Sequence, residues 1–169
     1  MLSQFFHLMI KNIYNFEYME KLTEFINKQN KFHLKNLYIE INEELRKLIN
    51  TSHSIERKDQ AHNSSKNILK KEIESLINKC DDLIIDKLLN NKIQINKKEE
   101  QFGIRKIENK SSYKTFACIF EVVFFNKETF EYDLKLITAN KVKYVYNFLP
   151  NTKFAFEIDK SNYVKEIKI

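Results

Sequence analysis

Thr115-Phe-Ala-Cys-Ile-Phe-Glu-Val-Val-Phe-Phe125 is followed by Asn126-Lys-Glu-Thr129 and then Phe130-Glu-Tyr-Asp-Leu-Lys-Leu136. In the first run only Thr115 and Glu121 are polar, so it cannot be left in water. The last run alternates strictly, with Phe130, Tyr132, Leu134 and Leu136 set against Glu131, Asp133 and Lys135. An aromatic, β-branched run joined by four polar residues to a period-two segment predicts a long hairpin over Tyr113 to Leu136. Its first strand is apolar on both faces and needs cover on each; its second has one wet face. If Ala117, Ile119, Val123 and Phe125 look outward, they need a helical layer or another protein over them.

Further along the chain, Phe102 to Ile107 reads as a short strand in which Gly103 marks a bulge or a close backbone approach. After Thr138 the period changes, and Val142, Val145, Tyr146 and Leu149 predict two turns of helix ended by Pro150. Lys153 to Asp159 alternates again, Asp159-Lys-Ser-Asn162 is a turn, and Tyr163 to Ile169 is a closing strand.

Towards the N-terminus the spacing is helical. Residues 2–28 carry Leu2, Phe5, Phe6, Met9, Ile13, Phe16, Met19, Leu22 and Ile26 at helical intervals, widened by Leu8, Ile10, Tyr14, Tyr18 and Phe25. So wide a stripe calls for burial on several sides. A second, amphipathic helix is predicted over His33 to Asn50, with Leu34, Leu37, Tyr38, Ile41, Leu45, Leu48 and Ile49 opposite Glu40, Glu43, Glu44, Arg46 and Lys47. Thr51 to Ser65 lacks periodicity and reads as a connection. Ser64 or Ser65 would cap a third helix with Leu69, Ile73, Leu76, Cys80, Leu83 and Leu88 at near-heptad spacing, ended by Asn90-Asn91. The expected class is α+β: about three helices as a bundle or coiled hairpin over residues 1–95, then a β domain over residues 101–169, separated by the charged segment Lys92 to Glu100.

Strand, long hairpin, short helix, strand, strand is the element order of a five-stranded antiparallel barrel, and Phe102 to Ile169 resembles the OB-fold in that order. A β-grasp sheet is the competing arrangement. Its helix must cross the whole sheet, which two turns cannot do, and Phe102 to Ile107 would be a surplus strand. The OB-like resemblance implies binding of single-stranded nucleic acid through stacked aromatics and phosphate-tracking lysines. Tyr113 and Phe125, near the ends of the hairpin, are the candidate stacking residues. Lys110, Lys114, Lys127, Lys135, Lys141 and Lys143 are the candidate phosphate contacts.

Composition limits the alternatives. The 169 residues hold 43% hydrophobic and 13% aromatic residues, enough for a packed core and against wholesale disorder. One glycine and one proline leave no glycine-rich phosphate loop. The net charge of +6 suits an acidic partner, though lysines scattered among glutamates equally describe a solvated basic surface. Cys80 and Cys118 sit in apolar runs on different elements and read as buried thiols, with a disulfide between them as the alternative. The N-terminal apolar stretch is too short to span a bilayer and lacks a leader's basic start and cleavage site. The expectation is a soluble intracellular protein, cytoplasmic or nuclear, without cofactor, metal or membrane association.

Two constellations carry other chemistry. His53, Glu56, Asp59 and His62 recur at intervals of three and would share one side of a helix as metal ligands; an exposed polar loop is the simpler reading. Arg57-Lys-Asp-Gln-Ala-His62 fits the Arg-x4-His spacing of helical ribonucleases and resembles the HEPN class. There the arginine would stabilise phosphate charge and the histidine act in acid–base cleavage of RNA. Lys58 and Ser64 stand where that class has a polar or ring residue and an aromatic one. The leading functional expectation is a non-enzymatic small subunit or adaptor of a larger complex, binding protein partners through its helices and single-stranded DNA or RNA through its β domain. A HEPN-type ribonuclease using Arg57 and His62, or a protein-only scaffold, are the alternatives.

Overall fold

The computed structural model describes residues 16, 19, 32–40, 42–52, 61–97, 100–108, 113–148 and 151–169. The chain divides into two compact units, Met1–Phe32 and His33–Ile169. In the first, Phe16 and Met19 are helical and exposed, and Phe32 is exposed. The rest of the helix expected over residues 2–28 lies outside the described residues.

In the second unit the elements are β1 (Leu34–Ile39), α1 (Glu43–Ser52), α2 (Ala61–Leu89), β2 (Gln101–Ile107), β3 (Thr115–Phe125), β4 (Tyr132–Val142), β5 (Thr152–Ile158) and β6 (Val164–Ile167). The strands form one mixed sheet in the order β1-β4-β3-β2-β5-β6. β2, β3 and β4 make an antiparallel meander, with β1 parallel to β4 at one side and β5 parallel to β2 at the other. β6 returns antiparallel to β5 at the edge.

This corrects the expected architecture. The sheet is open and mixed, whereas the OB-fold is a closed barrel, and no bundle of three helices precedes it among the described residues. Part of the predicted second helix is strand. Leu34 to Ile39 pairs with Tyr132 to Leu136, placing Leu37 beside Leu134 on the sheet's inner face. Leu34, Leu37 and Ile41 have helical spacing, but strand pairing in the fold overrides that local preference. Asn42 starts α1, its side chain accepting from Leu45 N at 2.9 Å as an N-cap. α2 begins before Ser64, and Asn91 at φ 53° ends it, with Lys92 N donating to Lys87 O at 2.9 Å.

α2 crosses one face diagonally. Glu72 meets Lys141 of β4 at 2.9 Å, and Lys87 meets Glu166 of β6 at 2.7 Å. Beneath the helix lie Phe102 and Ile104 of β2, Phe116, Cys118 and Phe120 of β3, Leu134 and Leu136 of β4, and Phe156 of β5, all buried. Phe102 is the centre of an aromatic cluster, 5.4 Å from Phe120 and 5.7 Å from Phe154 between ring centroids.

The predicted helix after Thr138 is also replaced. β4 continues to Val142, and residues 143–148 have no regular structure. β4 and β5 are parallel, so the chain must return along the sheet between them. It does so as an irregular strap over the face opposite α2. Thr115 Oγ1 donates to Tyr144 O at 2.7 Å, Arg105 Nη1 donates to Tyr146 O at 2.6 Å, and the Phe148 ring lies against Gly103. Arg105 is beside Ala117 and Gly103 beside Ile119 in the β2–β3 register, so the strap runs over the outward apolar residues of β3. Ala117 and Ile119 are therefore covered by the chain itself, while Val123 lines an open groove. A break in the β3–β4 register at Val123 turns Phe125 towards the core and leaves Phe124 on the outer face.

Three buried acids set the alkaline limit of this core. Burial pushes the Cys80 thiol up to about 12. Burial, then Glu72, raises Cys118 well above the ordinary thiol value. Burial, then Asp81, does the same for the Tyr132 phenol. Each folded value lies above the unfolded one, so the stabilisation is whole at neutral pH and is lost as pH rises through the thiol and phenol range. We expect the unfolding free energy from urea titrations to fall from about pH 9 upward, by about 1.4 kcal/mol per pH unit for each group titrating. Cys80→Ala should flatten that slope, measured over a pH series.

Candidate nucleic-acid interface

The β3–β4 hairpin has a turn end, at residues 126–131, and an open end, where β3 begins and β4 finishes. Eleven residues of strand at about 3.3 Å each separate the two ends by roughly 35 Å. Sorting the sequence-derived candidates by end decides which can act together.

Tyr113, Lys114, Lys141 and Lys143 meet at the open end. Lys114 N donates to Val142 O at 2.8 Å and Glu108 N donates to Lys114 O at 2.7 Å, closing the backbone around these side chains. Lys114 and Lys143 are exposed and Tyr113 is half-buried. Lys141 is engaged elsewhere: it binds Glu72 and lies 4.9 Å from the Phe116 ring centroid, beneath the helix layer. Lys127 is at the turn end, Phe125 packs on the core there, and Lys135 sits in the outer face bound to Glu40 at 3.4 Å. Lys110 lies outside the described residues. The candidates therefore do not lie together as a set, whereas Tyr113, Lys114 and Lys143 share the open end.

The register adds residues that the sequence did not mark. Lys106 pairs with both Phe116 and Ile158, placing the end of β2 and the β5–β6 turn beside the open end. The same rim thus presents Lys106, Lys114, Lys143 and Lys160, with Tyr144 62% exposed and Tyr163 65% exposed. Lys79 of α2 joins it, donating to Asn162 Oδ1 at 2.6 Å. Its amine is held below the ordinary lysine value, first by burial and then by repulsion from Lys106, so the two ammoniums feel one another's charge. Of the carboxylates nearby, Glu108 is buried and Asp159 is committed to its turn, accepting from Ser161 Oγ at 2.6 Å and Tyr163 N at 3.0 Å. Those bonds, the Ser161 hydroxyl first, keep the Asp159 carboxyl below its usual range. A lysine-rich rim with exposed phenol rings can bind a polyanion and stack planar groups.

Arg57 lies outside the described residues, as do His53, Glu56 and Asp59; His62 falls in the first turn of α2, and its side chain also lies outside them. Among the described residues no cluster of histidine, cysteine and carboxylate side chains could hold a metal, and no helix is long and apolar enough to cross a membrane. Comparison with protein-family models, with curated proteins and with solved structures yields no match to this chain.

Proposed function

We propose that the protein is a non-catalytic binding module, a small subunit or adaptor, that takes single-stranded nucleic acid along the open end of its sheet. The gathering of Lys79, Lys106, Lys114 and Lys143 at the open end of the sheet, with the Tyr144 ring exposed at the same end, carries this reading. A phosphate there relieves like-charge repulsion, and a base has a ring to stack on. A duplex presents its bases edge-on and offers no face for Tyr144 or Tyr163 to stack against, which favours a single strand.

The test is fluorescence anisotropy of labelled DNA and RNA oligomers at increasing salt. Tyr144→Ala should weaken binding by about tenfold, within the range of one lost stacking contact. The double change Lys114→Ala and Lys143→Ala should reduce the slope of log affinity against log salt by about 1.4, two contacts at roughly 0.7 each. Lys127→Ala, at the turn end, should leave affinity unchanged. Absence of binding at low salt, or equal losses from Lys127→Ala and Lys143→Ala, would remove the proposal.

A further inference from the structure

The outer face also carries a groove of about 410 Å³ at its β1–β4–β3 side, away from the basic rim. Phe124 pairs with Asp133 across β3–β4, and Asp133 pairs with Asn36 across β4–β1; in the next row Glu121 pairs with Lys135 and Lys135 with Tyr38. Phe124 and Tyr38 therefore stand diagonally across the groove, 42% and 51% exposed, with Asp133 between them and only 9% exposed.

The charges in this groove are unequal. Lys135 is bound by Glu40 at the rim. Asp133 accepts a hydrogen bond from Asn36 Nδ2 at 3.1 Å on Oδ1, and among the described residues no cation pairs with it. A carboxylate so shielded from water gains when a cation reaches it, because a neutral amide offsets only part of its desolvation. Aromatic rings such as the two that flank it attract cations and stack on planar ones. A guanidinium meets all three demands: positive charge, planarity, and paired N–H donors for one carboxylate. An ammonium offers only a point charge, and an anion would be repelled by Asp133 and Glu40.

The geometry points to this groove as the seat of an arginine side chain from a partner protein, its alkyl stem between Tyr38 and Phe124 and its guanidinium on Asp133. The site is separate from the nucleic-acid rim and has the opposite local charge. A chain of net charge +6 does not steer a cation towards itself, so recognition here comes from contact. Salt dependence should accordingly be slight, unlike that of nucleic-acid binding.

The test uses the full chain, NMR shifts of the Tyr38 and Phe124 ring protons, and three acetylated, amidated tripeptides: Gly-Arg-Gly, Gly-Lys-Gly and Gly-citrulline-Gly. The arginine peptide should bind with Kd of about 1 mM and the neutral citrulline isostere at least about tenfold more weakly. Asp133→Asn should abolish that difference. Tyr38→Ala, at an exposed position whose loss does not endanger folding, should weaken the arginine peptide by about fivefold. Equal binding of arginine and citrulline peptides would overturn the inference. So would a lysine peptide as tight as the arginine one, no shifts at 10-fold the expected Kd, or an unchanged response in Tyr38→Ala.

Discussion

Asp81→Ala should cost the fold about 3–5 kcal/mol, the range for breaking a buried, hydrogen-bonded charged group by removing one partner. Asp81 lies on the buried side of α2, flanked by Ile77 and Ile84 one turn away in each direction. Its Oδ2 is 2.6 Å from His33 Nδ1, and its Oδ1 accepts from the Tyr132 hydroxyl at 2.6 Å. Tyr132 N also donates to His33 O at 3.1 Å, and Phe130, at φ 60°, meets the His33 ring edge-on at 6.1 Å. One carboxyl group thus joins the start of β1, the middle of α2 and the start of β4. Alanine would leave an imidazole and a phenol buried without that partner. Against a typical stability of about 5–15 kcal/mol, such a loss takes a large share.

Guanidinium unfolding of three variants separates the contributions. Tyr132→Phe removes one bond to the carboxyl and should cost about 1.5–3 kcal/mol. Asp81→Asn keeps the volume and an acceptor for the phenol, so it should fall between Tyr132→Phe and Asp81→Ala. If Asp81→Ala lost less than Tyr132→Phe, the network would not be what fastens β1 to the sheet.

That network illustrates why parts of the fold were legible in the sequence and others were not. The continuous apolar run locates β3, and alternation locates β5 and the first half of β4, because those strands have a dry face whose period is set by the strand itself. β1 was hidden: Leu34, Leu37 and Ile41 satisfy a helix as well as a strand, and the choice is made by residues about a hundred positions away in β4. Residues 143–148 depart from the expected helix for the same reason in reverse. Their helical spacing is real, but hydrogen bonds from Thr115 and Arg105 hold the backbone as an open strap. Whether a sheet closes into a barrel depends on which strands pair, and β2 running parallel to β5 leaves no trace in local periodicity. Asp81 did leave a trace, a carboxylate set among Ile77, Cys80 and Ile84, where an amphipathic helix should be apolar.

The candidate site was half legible. Any hairpin brings the residues before its first strand towards those after its second, so Tyr113 and Lys114 had to lie at the open end, but that Lys143 and Tyr144 lie there too follows only from the extension of β4 to Val142. The same geometry places Phe125 and Lys127 at the far end. Lys106, Lys160 and Lys79 could be added only once β2, the β5–β6 turn and α2 were in place. Asp133 looked like one more wet residue of an alternating strand. Its burial comes from the neighbouring strands, since Asn36 and Phe124 flank it across the sheet.

Gly103→Val should destabilise the protein by about 3 kcal/mol, the upper part of the usual range for overpacking, and should disturb function as well. A Cβ at this position would collide with the Phe148 ring, and that ring is part of a strap anchored at only a few points. Arg105 is the firmest of them: it donates from Nη1 to Tyr146 O and pairs with Glu157 through Nε at 2.8 Å and Nη2 at 2.6 Å. Burial pushes the Glu157 carboxyl up, but hydrogen bonds from Arg105 and Lys165 outweigh it and hold the group below its ordinary value. The strap therefore cannot slide without disturbing a half-buried ion pair, so the added methyl groups must expel the ring instead. Phe148→Ala in the same chain opens the space that valine needs. The double variant should be less destabilised than the sum of the single changes by about 1 kcal/mol or more, as expected for residues in direct contact. Tyr144 begins this strap and is the exposed ring of the basic rim, so a displaced strap also misplaces it. At temperatures where Gly103→Val remains folded, its affinity for single-stranded oligomers should drop by an amount close to that of Tyr144→Ala, and Phe148→Ala should restore part of it. Loss of stability without loss of binding would show that the strap covers the sheet but does not position Tyr144.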